Sequence, residues 1–128
     1  MNVLIVALDA AAPPEVPDGD VLVVAPALNS RLRHWLSDED DARRRAEQRL
    51  AAFLDGIARS GVHAEGQVGD ADPLLAIADA LSMFPAEAIV IAAGLEGSTQ
   101  LADKLVPRAR DRFALPTSRS DYALPRAA

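Results

Sequence analysis

Gly94-Leu95-Glu96-Gly97-Ser98-Thr99 is the segment of this 128-residue chain best suited to chemistry. Two glycines three apart let backbone amides approach an anion, and two hydroxyls follow where a helix can begin, so the segment reads as an anion-binding turn. The plainer reading of the same residues is a turn at Gly94 with Ser98 as a helix cap. Asp9 closes an apolar run, Val3 to Leu8, and reads either as a ligand contact or as the polar end of a strand. Other polar residues have structural explanations. Asp70 and Asp72 suggest a metal, but Asp72-Pro73 is a helix cap followed by a first-turn proline. The acids at 38 to 41 suit the first turn of a helix. His34 and His63 are far apart and have no cysteine or serine-aspartate partner in view, so no catalytic residue is assigned. Trp35 reads as packing over a core edge rather than stacking on a ligand.

Strands must position these residues. Val3 to Leu8, Val21 to Ala25 and Ala88 to Ala93 are continuous apolar runs, the pattern of strands covered on both faces of a parallel sheet. Only Ala10 to Asp20 join the first two, with Pro13, Pro14, Pro17 and Gly19 among them, too few for a full crossover helix. One face of the sheet would then lack a cover, to be supplied by a second subunit or by the C-terminal tail. Ser37 caps a long helix whose apolar stripe is Ala42, Ala46, Leu50, Phe53, Leu54 and Ile57, closed by Gly61. Val62 to Val68 reads as a polar edge strand. A second helix starts at Pro73, turns Leu74, Leu75, Ile77, Ala78 and Leu81 inward and ends near Phe84-Pro85. Pro107 reads as the first residue of a third helix running to Phe113, with residues 98 to 105 a separate turn or short helix. Thr117 to Asp121 is too polar for a buried strand and reads as a frayed edge or an irregular tail.

Composition narrows the function. The formal net charge is −6, while residues 103 to 128 hold six Lys or Arg against three acids, so the acidic excess lies in the body. An acidic body repels nucleic acid, and no partner of that kind is expected. The basic end reads as a solvated face or as a contact for one phosphorylated small molecule. With no cysteine, no disulfide or thiolate metal site forms. No basic region precedes the first apolar run, and no run approaches the roughly 20 residues that cross a bilayer, so a soluble, cytoplasmic protein without a membrane partner is expected. Half the residues are hydrophobic but only 4% aromatic, which predicts a core of Ala, Leu, Val and Ile.

The order strand, strand, long helix, strand, helix, strand, Gly-x-x-Gly resembles the universal stress protein family over residues 1 to 116. Val6-Ala7-Leu8-Asp9 is similar to the family's first strand ending in aspartate. Val68-Gly69-Asp70-Ala71-Asp72-Pro73 resembles the Gly-(Asp)-Pro lead into the helix before its fourth strand, and Gly94-x-x-Gly97 falls where its phosphate loop begins. The segments Pro26 to Trp35 and Arg108 to Pro116 look like short, divergent members of high-GC bacteria.

The resemblance implies an α/β fold with a doubly wound, mostly parallel five-stranded sheet in the order 3-2-1-4-5 and helices on both faces. Here the first crossover helix would be missing or very short and the fifth strand weak, with residues 117 to 128 an edge strand or tail. Nucleotide, when bound in the family, lies across the ends of strands one and four, the topological switch point. By that match Asp9 faces a ribose or base, Pro26 and Ala27 wall the base, and Gly94, Gly97, Ser98 and Thr99 form the phosphate side. The family's ATP pattern continues after nine residues with Gly-Ser or Gly-Thr. Here Pro107-Arg108 stand instead, so half of the amide cradle is absent, with Arg108 as a substitute charge. The implied function is non-catalytic, through homodimer formation and binding of a partner or small ligand in stress physiology, with no obligatory cofactor. The alternative is a switch that binds ATP or another adenine nucleotide, with at most slow hydrolysis.

Overall fold

Val3 to Ala7 form β1, the central strand, because five consecutive apolar residues satisfy a strand buried on both sides. In the computed structural model of this protein, which describes residues 1–9, 19–28, 39–94 and 98–120, β1 is flanked by β2 (Val21–Pro26) and β4 (Ala88–Ala92), both parallel to it. β3 (Ala64–Gly69) pairs with the outer edge of β2 and β5 (Thr117–Ser120) with that of β4. The sheet therefore has five parallel strands in the order β3-β2-β1-β4-β5, the order that the resemblance implies. Residues 10–18, including the short first crossover, lie outside the described residues, as do Ser37 and the segment after Ser120.

Among the described residues one helix covers one face. In α1 (Glu39–Arg59), Phe53 and Ile57 pack in one cluster with Val3, Ile5 and Ala7 of β1, Val21 and Val23 of β2 and Ala92 of β4. Ala42 and Ala46 close on Ala25 and Ala27, where small side chains let helix and sheet approach. The expected uncovered face is corrected here: Val3, Ile5 and Ala7 are buried within a single chain, and on this side of β4 only Ala88 and Val90 stay half-buried.

Among the described residues two helices cover the other face. α2 (Pro73–Leu81) begins as predicted, with Asp72 accepting from the Leu74 amide at 3.0 Å and Pro73 in its first turn. Its inward stripe is Ala76, Ile77 and Ala80, while Leu75 is 40% exposed, a correction to the inward placing of that leucine. The reason is the helical period: with Ala76 and Ala80 against the sheet, Leu75 falls on the outer side. α3 (Ser98–Phe113) is one helix with Pro107 inside it, not a turn followed by a helix starting at the proline. Ala102 and Leu105 before the proline and Ala109 after it are all buried against Ile89 and Ile91, so packing on both sides of Pro107 offsets the missing amide.

α3 ends at Ala114, whose φ is 53° and whose amide donates to the Arg110 carbonyl at 3.0 Å. A Cβ is disfavoured there, and Ala114→Gly is expected to raise stability by about 0.5–1 kcal/mol in a urea titration. β5 then forms in spite of its polar sequence. The Ile89 amide donates to the Pro116 carbonyl at 2.9 Å, Thr117 is buried, and Arg119 pairs with Asp103 of α3 at 2.6 Å. An edge strand needs only one covered side, and Ser118 and Arg119 of β5 are exposed.

Candidate functional site

All five strands point their carboxyl ends to one side, and from the neighbours β1 and β4 the strand order runs outward in opposite directions, the topological switch point at which open α/β sheets form a crevice. Asp9 stands two residues beyond β1 and Gly94 two beyond β4. The Gly94 amide donates to both carboxylate oxygens of Asp9, at 2.8 and 2.7 Å. Ser98, the first residue of α3, donates its hydroxyl to Asp9 Oδ2. The carboxylate thus sits at the amino end of a 16-residue helix, where the aligned peptide dipoles favour negative charge. Gly94 has a steric reason to be glycine: a Cβ there would lie 3.0 Å from each Asp9 oxygen.

Three residues named from sequence therefore come together, Asp9, Gly94 and Ser98, but in a different relation from the one expected. The donors offered to a phosphate are taken by the protein's own carboxylate. Thr99 follows Ser98 in the first turn of α3 and is partly buried, and Gly97 lies outside the described residues. Pro26 and Ala27 are both buried. The Ala27 amide donates to the Gly69 carbonyl at 3.1 Å and its methyl packs on Ala42 and Ala46, so these two residues serve the end of the sheet. Arg108 is exposed and ten residues along α3 from Ser98. At 1.5 Å per residue that is about 15 Å of helix, running away from the crevice. Arg108 is not part of the group.

Another cation is. Arg49 of α1 donates from Nε to the Ala7 carbonyl at 3.1 Å and from Nη2 to the Pro26 carbonyl, the last residues of β1 and β2. Burial lowers its pKa from the ordinary value, and the charge of Asp9 acts in the opposite sense. An arginine keeps its proton in either case. The sequence held a signal for this residue: Ala42, Ala46, Arg49, Phe53 and Ile57 follow one helical stripe, so a charged side chain interrupts an apolar row. Such a side chain lays its stem on the core and carries its head to polar partners, here the strand ends.

His63 immediately precedes β3, at the amino ends of the strands and so at the opposite end of the sheet from Asp9, and His34 lies outside the described residues. Ser98 has a carboxylate beside it but, among the described residues, no imidazole to relay its proton. Among the described residues no group of three or more His, Asp or Glu is arranged to hold a metal ion, and no helix is long and apolar enough to cross a membrane. Asp70 and Asp72 are accounted for by the α2 cap, the Asp72 amide donating to Asp70 Oδ1 at 2.9 Å. No family model matches the chain, and no curated protein matches its sequence.

Proposed function

We propose that this chain is a cytoplasmic, non-catalytic α/β protein similar to universal stress proteins, acting through homodimer formation and the binding of a partner or small ligand under stress. The observation that carries this reading is the Asp9 carboxylate seated on the Gly94 amide and the Ser98 hydroxyl. A phosphate entering the same donors would meet a negative charge already in place. The crevice therefore favours a ligand that hydrogen-bonds to a carboxylate over one that presents phosphate. The β1/β4 switch point supports the kinship, and the polar edge strand β5, with no strand on its outer side among the described residues, supports self-association.

The second reading, an adenine-nucleotide switch, is favoured by the meeting of Asp9, Gly94 and Ser98 at that switch point. It requires the nucleotide to displace Asp9 from both donors. Light scattering of the purified chain at micromolar concentration, combined with calorimetry against ATP, ADP, AMP and cyclic AMP, separates the two. A dimer with no heat from any nucleotide is the expected result. A monomer under all conditions overturns the first reading, and saturable heat with ATP or AMP establishes the second.

A further inference from the structure

Arg49 is the one cation among the described residues that bonds to the carboxyl ends of two central strands, and it reaches them from the face opposite to α3. Its Nε holds the Ala7 carbonyl, two residues before Asp9, so it fixes the backbone from which that side chain departs. On the far side, Asp9 holds Gly94 beyond β4 and Ser98 at the start of α3. Pro26, Arg49, Ala7, Asp9, Gly94 and Ser98 form a polar line across the ends of β2, β1 and β4, which α1 joins through Arg49 and α3 through Ser98.

We propose that Arg49 is the positioning residue of the crevice: by clamping the ends of β1 and β2 and placing its charge near Asp9, it sets the Asp9 carboxylate on Gly94 and Ser98. The clamp couples the two helical layers. A group that draws Asp9 off Gly94 removes charge from the neighbourhood of Arg49 and is felt in α1, whereas a group bound elsewhere on the sheet is not. This deepens the function proposed above, on which its biological meaning rests, by naming the residue through which occupancy of the site reaches α1.

A double-mutant cycle on the full chain tests it, with Arg49→Met and Asp9→Asn made singly and together. The readouts are chemical denaturation and the amide resonance of Gly94. Residues that act through one another break additivity, so the folding constant of the double variant is expected to exceed the product of the two single losses by at least about threefold. Arg49→Met is also expected to move the Gly94 resonance when Asp9 is present and to leave it in place in the Asp9→Asn background. A merely structural arginine on α1 would not do this. Both results are required, and a smaller departure from additivity or an unmoved Gly94 resonance overturns the proposal. Should Arg49→Met fail to fold, Arg49→Gln, which keeps amide donors without the charge, takes its place in the same cycle. The cycle contains no ligand, so its failure removes the role of Arg49 and leaves the proposed function standing. A monomeric chain would do the reverse.

Discussion

Asp9→Ala is expected to lower the stability of the folded chain by about 2–3 kcal/mol, because hydrogen bonds to a charged acceptor are lost and the partly buried Gly94 amide is left without its partner. Urea denaturation reads this as a lower midpoint at unchanged slope. A second effect belongs to the same variant. With the carboxylate gone, the Gly94 amide near the head of α3 can donate to an added anion. Inorganic phosphate at millimolar concentration should then raise the melting temperature of Asp9→Ala and leave the parent chain unchanged, since a ligand stabilises only the state that binds it. Equal responses of the two proteins would show that Asp9 does not occupy an anion position.

Phe53→Ala has the largest expected cost, about 3–5 kcal/mol, the range for removing a buried aromatic side chain and leaving a cavity. Phe53 is 1% exposed and packs with Val3, Ile5, Val21, Val23 and Ile57. Among the described residues α1 is the single helix on this face, and Phe53 is its largest fully buried side chain. Hydrogen exchange should show α1 and β3 losing protection before β1, because β3 is covered on this side by Leu50 and Leu54 of the same helix. A cost under about 1 kcal/mol would mean that α1 does not hold this layer.

The parts of the fold legible in the sequence are those in which local pattern and tertiary environment agree. β1, β2 and β4 are unbroken apolar runs because both sides of each are covered, and Asp72-Pro73 starts α2 because cap and first turn are local chemistry. α3 was less legible. Pro107 is a local stop signal, and what overrides it is the burial of Ala102, Leu105 and Ala109, a contact with strands that sequence spacing does not display. β5 is similar, a polar tetrapeptide held by Arg119 on Asp103 and by Arg110 Nη2 on the Thr117 carbonyl at 2.8 Å.

For the site, the meeting of Asp9, Gly94 and Ser98 follows from the strand order, because the first and fourth strands are neighbours at the switch point of the sheet. Which group fills the donors does not follow, since that depends on the reach of one side chain. The helix that runs unbroken through Pro107 also carries Arg108 out of the crevice. Arg49 of α1 reaches the strand ends instead. Its place in the apolar stripe was the available clue, and only the strand-end carbonyls give that place a meaning.

The central strand has its two neighbours at very different distances along the chain: Val3 pairs with Val21 on one side and with Ala88 on the other. On the ribosome, β1, β2, α1 and β3 can assemble while the second edge of β1 still waits for a strand about 85 residues downstream, as far as Asp9 is from Gly94. Until β4 emerges, Leu4 and Val6 have no Ile89 and Ile91 beside them, and the nascent half-sheet presents a sticky apolar margin. Slowing translation between β3 and β4 should therefore increase aggregation of the newborn chain more than the same delay placed after β5.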